Sequence, residues 1–321
     1  MALTLFLVGW LHLATPFLAV LFSLFILNKL HMGHKKWLAL TAFIVLVLGI
    51  AYAVAHFINE AVVALPAIAD RSIPLVLAWA QEHGIELPFT DYESLKAVSV
   101  DTVKQQARYL RNVANLAKGA TTQFAFLVIG IVVAVSLFLN SKLDLDRGSH
   151  ALKDNLYSAC CDEIAERFHT FFQSFATVMG AQIVISAINT ILTTIFLLVV
   201  DLPYTIVVVG VTFLCGLLPV IGNLISNTII VGIAFTISPK MAFAALTFLV
   251  VIHKLEYFLN SKIIGDRIRN PVWLTLLGLI IGERLMGIPG MILAPVVLNY
   301  LKVESARIRV ETPAARDLSA P

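Results

Sequence analysis

The sequence predicts an all-α fold: a polytopic helical membrane protein with two re-entrant or broken-helix hairpins and a small extracytoplasmic helical domain. Three observations predict it. Of the 321 residues, 59% are hydrophobic and only 13% are charged, whereas a soluble domain carries about 25% charged residues. Several apolar runs reach the roughly 20 residues that a helix needs to cross a bilayer. Two of the later runs contain proline and glycine together near their middles.

The first two apolar stretches, residues 3–27 and 37–57, are each long enough to cross a bilayer. Pro16 predicts a kink or a break in the first stretch, because proline removes a backbone hydrogen-bond donor. Whether that stretch is one helix or a hairpin stays open at this point. Residues 28–36, between the two stretches, hold three lysines and no acidic residue, so the positive-inside rule places them in the cytoplasm.

Residues 58–118 differ in character, because charged residues of both signs interrupt the apolar pattern. Residues 70–83 predict a short amphipathic helix that ends at Gly84. The segment Thr90-Asp-Tyr-Glu93 has the pattern of a capping box and predicts the start of a helix over 91–117. This insert is expected on the extracytoplasmic side, with transmembrane helices before it at residues 1–57.

The remaining residues, 119–321, are predicted to form a transmembrane transport core with a short C-terminal tail. Spans are expected at 122–139 and 173–200, joined by a cytoplasmic amphipathic helix at 150–172. The segment between the two spans contains Lys142, Arg147 and Lys153, and the positive-inside rule therefore places it on the cytoplasmic side.

Two further apolar runs, 203–237 and 272–301, are predicted to be hairpins. If each were one simple span, the basic segment 254–269 would lie outside, against the positive-inside rule. Pro219 and Gly222 would form the tip of the first hairpin, and Gly287-Ile-Pro-Gly290 that of the second. Non-helical backbone at membrane depth is tolerated only where it is buried in protein or lines a watery cavity. The alternative is that Pro and Gly merely kink two packed helices.

Discontinuous membrane segments commonly mark a transport site, so the polar residues near the tips are candidates for a substrate pathway. Gln182 and Asn189 are seven residues apart and share one helix face, and Asn223 and Asn227 flank the first tip. Hydrogen bonding between helices is the alternative role of Gln182 and Asn189, worth about 0.6 kcal/mol each. The predicted pathway residues are Gln182, Asn189, Pro219, Gly222, Asn223, Asn227, Gly287, Pro289 and Gly290.

Four residues are candidates for ion or proton coupling. Glu283 is the best intramembrane carboxylate, and it is adjacent to Arg284, although neighbouring helical positions need not pair. Glu256 and Asn260 share a face at a spacing of four and suggest a cytoplasmic gate. The alternatives are a structural ion pair for Glu283 and interfacial snorkelling for Glu256. His253 is a further candidate for pH sensing.

Several classes of protein are not indicated. No metal-ligand spacing, phosphate-binding loop or nucleophile elbow occurs, so neither an enzyme nor a cofactor or metal is predicted. The net charge of +3 is too small to indicate nucleic-acid binding, and the three cysteines predict free thiols. The expected partners are the lipid bilayer and a small-molecule or ion substrate. A homo-oligomer is left open, because helix 91–117 fits a subunit contact and a domain core equally well.

Three motifs resemble those of the autoinducer-2 exporter (AI-2E) family of permeases. They are Leu217-Leu-Pro-Val-Ile-Gly222, His253-Lys-Leu-Glu-Tyr-Phe-Leu-Asn-Ser-Lys-Ile-Ile-Gly265, and Pro271-Val-Trp-Leu followed by 285–295. The resemblance is strong over 170–302, although Ser261 stands where many members carry proline. It implies transport of a small solute, which need not be autoinducer-2, by an integral, multi-pass protein of the bacterial inner membrane.

Three functions are therefore held open. The first is export or facilitated passage of a small polar solute such as an autoinducer-2-like signal. The second is secondary cation/proton antiport of the Na⁺/H⁺ type, which needs a membrane carboxylate such as Glu283. The third is a non-transporting scaffold that presents the 58–118 insert.

Overall fold

In the part of the chain that the computed structural model describes, the regular secondary structure is helical. Its helices, numbered in chain order, are α1 Ala2–Trp10, α2 Ala14–His31, α3 Lys36–Glu82, α4 Val113–Leu139, α5 Leu156–Val199, α6 Thr205–Gly216, α7 Ile221–Ile237, α8 Pro239–Ile264, α9 Val272–Met286 and α10 Ile288–Ser305. The described residues are 2–31, 33, 35–82, 84, 113–218, 221–264 and 271–308, with backbone alone for 2, 61–73, 76–77, 113–120, 221, 256–264 and 272.

Four of these helices are apolar and long enough to cross a membrane: α2, the 36–60 part of α3, the 121–139 part of α4, and α5. The described ranges contain no strand. The predicted class, an all-α polytopic membrane protein, is therefore confirmed. The re-entrant placement of the two hairpins stays a prediction.

The first apolar stretch is broken, but not at Pro16. Residues 11–13 separate α1 from α2, and His12 has a left-handed backbone with φ of 54°. Pro16 instead lies in the first turn of α2, where its missing N–H would have no helical partner in any case. Close packing of α4 on α2 also accounts for Gly130, where a Cβ atom would press on the Pro16 carbonyl.

The expected separate helix at 70–83 is wrong, because α3 runs unbroken from Lys36 to Glu82. Its predicted end is close to correct, since Gly84 has φ of +66°, a conformation that suits glycine. The far end of α3 packs on α7, where the rings of Trp79 and Phe235 are 5.5 Å apart. The helix predicted over 91–117 lies mostly outside the described residues.

The predicted break between the cytoplasmic helix 150–172 and the following span is also wrong. Residues 156–199 form one helix of 44 residues. It begins at Leu156 because the Asn155 side chain accepts a hydrogen bond from the Ser158 N–H at 2.9 Å. No proline interrupts it, so the polar first half and the apolar second half are continuous.

Helix α5 packs against later helices along both of its halves. Its first half packs against α10 in a core that includes Phe175, Met179 and Leu293. Its second half packs against α6 and α8, where the rings of Phe196 and Phe248 stack at 4.1 Å. The long helix therefore positions everything that follows it in the chain.

Candidate functional site

The run 203–237 forms two helices, α6 and α7, that pack against each other. Together with residues 217–220 we call them hairpin 1. Its arms have 12 and 17 residues. Gly222 lies in the first turn of α7 rather than between the helices, and a Cβ atom there would overlap the Cys215 carbonyl. Glycine is thus required for the close approach of the two arms. Pro219 lies outside the described residues.

Two hydrogen bonds hold the tip of hairpin 1, at the C-terminal end of α6, on α5. Gln182 donates from Nε2 to the Gly216 carbonyl at 2.6 Å, and Ser186 donates from Oγ to the Phe213 carbonyl at 2.8 Å. Both carbonyls belong to the last turn of α6, which has no further helical donor for them. In this conformation Gln182 makes the interhelical contact that was its alternative role.

Three of the predicted pathway residues, Asn189, Asn223 and Asn227, line one pocket between α5, hairpin 1 and α8. The pocket measures about 260 Å³ when its open part is counted. Among the described residues, the lining is Asn189, Thr193, Thr212, Asn223, Ser226, Asn227, Ile252 and His253. Amides and hydroxyls supply six of these eight side chains, and His253 is the only titratable one among these described residues.

The floor of this pocket is polar but incompletely hydrogen-bonded. Asn189 and Thr212 are buried, and neither Asn189 Oδ1 nor Thr212 Oγ1 has a hydrogen-bond partner within the described part of the chain. Buried polar atoms without partners are uncommon and costly, about 1–3 kcal/mol each. The enclosed space has room for about one water molecule. The floor of the pocket is therefore a buried polar site, and the pocket opens toward His253.

The second predicted hairpin consists of α9 and α10, which join at Gly287. Glycines allow the backbones of these two helices to approach closely. A Cβ atom on Gly282 would overlap the Gly290 carbonyl, and one on Gly290 would overlap the Gly282 carbonyl. Gly287 alone forms the turn, with φ of 65° and ψ of −145°. Pro289 and Gly290, expected at the tip, already lie in the first turn of α10. We call this unit hairpin 2.

The two hairpins approach the middle of α5 from opposite ends. Near the C-terminus of α10, Arg307 contacts Thr170 and Tyr300 packs on Phe171 at 5.5 Å between ring centroids. Gly287 precedes Tyr300 by 13 positions, which is about 20 Å of helix at 1.5 Å per residue. The tip of hairpin 2 therefore reaches the level of α5 at which Gln182 holds the tip of hairpin 1.

Glu283 does not face the pocket. Its side chain is half-exposed near the turn of hairpin 2, and its Oε2 lies 3.8 Å from Nε of Arg284, which is 84% exposed. The two neighbours thus form a weak ion pair with each other, which their spacing alone did not require. Glu256 and Asn260 lie on α8, and their side chains are outside the described part of the structure.

Sequence analysis missed three polar members of the pocket, which are Thr193, Thr212 and Ser226 on its floor. The spacing could have indicated two of them. Thr193 is one helical turn beyond Asn189, and Ser226 lies between Asn223 and Asn227. Thr212 precedes the tip in an apolar run and has no such signal. His253, at the mouth of the pocket, is among the residues that the sequence analysis names, as a possible pH sensor and, beside Glu256, as part of a possible cytoplasmic gate or proton site.

Long apolar helices around a polar pocket, with two helical hairpins packed on different halves of one spanning helix, are typical of an integral, multi-pass membrane protein of the transporter class. The family model described as AI-2E family transporter matches residues 3–309. The chain belongs to the AI-2E family of transporters, as the motif resemblance predicted, and the predicted membrane localisation is confirmed with it.

A relative from Bacillus subtilis (strain 168), "Putative transport protein YdbI", is 29% identical to the chain over 180 residues. The match covers 56% of this chain and 51% of the relative. It therefore spans about half the length of that relative, and its printed name specifies no substrate.

Proposed function

We propose that the protein exports or facilitates the passage of a small, uncharged, hydroxylated solute, such as an autoinducer-2-like signal molecule. The pocket between α5, hairpin 1 and α8 would be its binding site, and movement of hairpin 1 would open it. The observation that carries this proposal is the pair Asn189 Oδ1 and Thr212 Oγ1, which have no hydrogen-bond partner within the described part of the chain. They lie on the floor of a pocket whose described lining holds no acidic or permanently cationic side chain.

The lining chemistry favours an uncharged solute. Amide and hydroxyl groups donate and accept hydrogen bonds equally well, so they match alcohols and carbonyls without an ion. A solute hydroxyl could donate to the Asn189 Oδ1 acceptor and thereby remove the cost of an unsatisfied buried atom. Transfer of a charged solute into this neutral pocket would carry a desolvation cost with no opposite charge to offset it.

Hairpin 1 is the better gate of the two. Two side-chain hydrogen bonds, from Gln182 and Ser186, hold its tip on α5, and such bonds contribute little each in a membrane. Hairpin 2 is closed along Gly282 and Gly290 and tied to α5 by ion pairs of Arg167 and Arg307. Hairpin 2 would then be the fixed wall against which hairpin 1 moves.

The cation/proton antiport alternative has less support. The carboxylate that it required, Glu283, lies outside the pocket, half-exposed beside Arg284. No group of three or more potential metal-ligating side chains occurs within the described residues. The scaffold alternative rests on the 58–118 insert, most of whose side chains lie outside the described part.

Radiolabelled ribose and glycerol flux in proteoliposomes tests the proposal. Thr212→Val keeps the shape of the floor but removes its hydroxyl, and should lower protein-dependent flux about tenfold, as the loss of one good hydrogen bond would. Thr228→Val is the matched control, because Thr228 is exposed on α7 and donates only to Leu224 of its own helix. Equal flux through both variants would contradict the assignment of the site.

A further inference from the structure

Four leucines are exposed in and directly after the loop that joins the spanning helices α4 and α5. The loop covers residues 140–155, and Leu143, Leu145, Leu152 and Leu156 are 47%, 68%, 72% and 82% exposed. The first three lie outside the helices that are long and apolar enough to cross a membrane. Exposed apolar side chains that are grouped in this way mark an interaction surface.

The first half of the loop has its polarity reversed relative to a loop in water. Asp144, whose side chain is only 5% exposed, turns inward. Ser158 donates from Oγ to its Oδ2 at 2.7 Å, and His150 Nε2 lies 3.3 Å from its Oδ1. Leu143 and Leu145, on either side of this carboxylate, are exposed. Acidic side chains are rarely buried and leucines usually are, so this arrangement favours surroundings other than water.

The second half of the loop holds its leucines through the cap of α5. Asn155 donates from Nδ2 to the Leu152 carbonyl at 2.8 Å, and its Oδ1 accepts from the Ser158 N–H at 2.9 Å. These bonds fix the backbone between Leu152 and Leu156. The exposure of both leucines is therefore a property of the folded loop.

The loop begins at the level of the membrane–water interface. Lys36, at the start of α3, donates from Nζ to the carbonyl of Leu139 at 3.1 Å, and Leu139 is the last residue of α4. Trp37, the next residue of α3, is exposed, and tryptophan is enriched at membrane interfaces. Since the loop starts directly after Leu139, it follows the spanning helix at the depth where headgroups meet acyl chains.

Lysines adjoin two of the exposed leucines. Lys142 precedes the first leucine, Lys153 follows the third, and both lysines are exposed. A lysine can keep its ammonium group among headgroups while its stem lies along apolar surface, and anionic lipids attract it. Asp146 and Asp154 are exposed as well, so the apolar side chains rather than a net charge supply the attachment.

We infer that loop 140–155 is an attachment surface for the lipid bilayer. Its exposed leucines, together with Leu156, lie among the upper acyl chains of the leaflet that it faces, and its two lysines contact anionic headgroups. The loop then lies along the membrane and holds the start of α5 at the surface. This inference is independent of the proposed function, because the loop is separate from the pocket.

Nitroxide labelling of the full chain, in vesicles of phosphatidylglycerol and phosphatidylethanolamine, tests the inference. With the three native cysteines replaced by alanine, Leu145→Cys and Leu152→Cys carry the label. Both labels should collide with oxygen, lose accessibility to a water-soluble nickel chelate, and lie about 5–10 Å below the phosphates. Asp154→Cys is the matched control, because Asp154 is an exposed polar residue of the same loop, and its label should stay accessible to the chelate.

Two results of this measurement would overturn the inference. Chelate accessibility at Leu145 and Leu152 equal to that at Asp154 would place the leucines in water. Low collision with both reagents would show that protein, either a second copy of this chain or another partner, covers them instead of lipid.

A second measurement leaves the wild-type chain unchanged. Phospholipids that carry a diazirine near the top of an acyl chain should, on illumination, label peptides covering 142–156, as located by mass spectrometry. The region around Val132 is the reference, because Val132 is exposed on the spanning helix α4. Labelling around Val132 without labelling of 142–156 would also overturn the inference.

Discussion

Gln182 donates a hydrogen bond from Nε2 to the carbonyl oxygen of Gly216, at 2.6 Å and across 34 positions of the sequence. The bond gives the last turn of α6 a partner that the helix cannot supply. The absence of a Cβ atom on Gly216 allows this approach, since one would overlap the Ser186 hydroxyl. The tip of hairpin 1 is therefore docked on α5 through two polar contacts, from Gln182 and Ser186.

Replacement of this amide should loosen the tip. Gln182→Leu leaves the Gly216 carbonyl without its donor, at a cost of about 0.6 kcal/mol and at most about 1.7 kcal/mol. We expect faster hydrogen exchange of the amides at 213–217 and a small fall in the melting temperature in detergent. Thr177→Val is the control, since Thr177 donates only to Gln173 within α5. Unchanged exchange at 213–217 would show that the bond does not hold the tip.

Because the two arms of hairpin 1 approach closely at Gly222, the stability of the protein should depend strongly on this glycine. Gly222→Ala places a methyl group on the Cys215 carbonyl, and such overpacking typically costs about 1–3 kcal/mol. Gly232→Ala, on the same helix, meets nothing within 4 Å and should stabilise α7 by up to about 1 kcal/mol. Thermal unfolding in detergent compares the two, and a destabilisation by Gly232→Ala equal to that by Gly222→Ala would contradict the predicted contact.

Hairpin 2 offers a test of coupling between two glycines. Gly282→Ala and Gly290→Ala each force apart the same pair of backbones, at about 1–3 kcal/mol each. Once one alanine has separated the helices, the second meets less resistance, so the double variant should cost less than the sum of the single variants. Melting temperatures of the three variants provide the measurement, and strict additivity would indicate that the contacts are independent.

The class of the fold could be predicted from the sequence because composition and run length determine which segments enter lipid. The ends of the individual helices could be predicted less accurately from the sequence. Pro16 was expected to break a helix, yet proline fits the first turn of α2 without loss. The polar-to-apolar change near Phe172 predicts a helix end. A helix can nevertheless pass from water into lipid without a break where no proline or capping residue ends it.

The candidate site could be predicted in part. Asn189, Asn223 and Asn227 were chosen for their polarity beside a predicted tip, and all three line the pocket. Thr212 could not be chosen in this way, because one hydroxyl in an apolar run gives no pattern until α6 is placed against α5. Glu283 was ranked high for its cost in lipid, but that cost depends on which way the helix faces, and this is decided by the glycine contacts of hairpin 2.

Replacement of Glu304, near the C-terminus of α10, should lower the stability of the protein. This carboxylate is only 16% exposed and contacts Arg167, with Arg307 at 4.0 Å. Glu304→Gln should therefore cost at least about 1 kcal/mol, the upper end for surface ion pairs, and its effect should shrink in high salt. Glu283→Gln is the matched control and should be near neutral, because its partner Arg284 is almost fully exposed. Thermal unfolding at low and high salt separates the two, and an equal response would contradict a special role of Glu304.

The loop between α4 and α5 should show acid sensitivity centred on Asp144. Ser158 donates from Oγ to Asp144 Oδ2 at 2.7 Å, and His150 Nε2 lies 3.3 Å from Oδ1. These contacts, the Ser158 hydrogen bond foremost, hold the pKa of the Asp144 carboxyl below its usual value of 3.8. A carboxyl whose pKa is lower in the folded state stabilises that state above its unfolded pKa, and the contribution is lost as the pH falls through the folded pKa.

Docking of the loop on α5 should therefore be constant down to about pH 4 and weaken below it. Ser158→Ala removes the principal cause of the shift, so it should bring loop opening to a higher pH, although not above the ordinary Asp range. Hydrogen exchange of residues 140–150 against pH, corrected for intrinsic exchange rates, measures this opening. Ser149→Ala is the control, because Ser149 donates to the Asp146 carbonyl rather than to the Asp144 carboxylate. An identical pH profile for Ser158→Ala and wild type would mean that the Ser158 bond does not control the ionisation of Asp144.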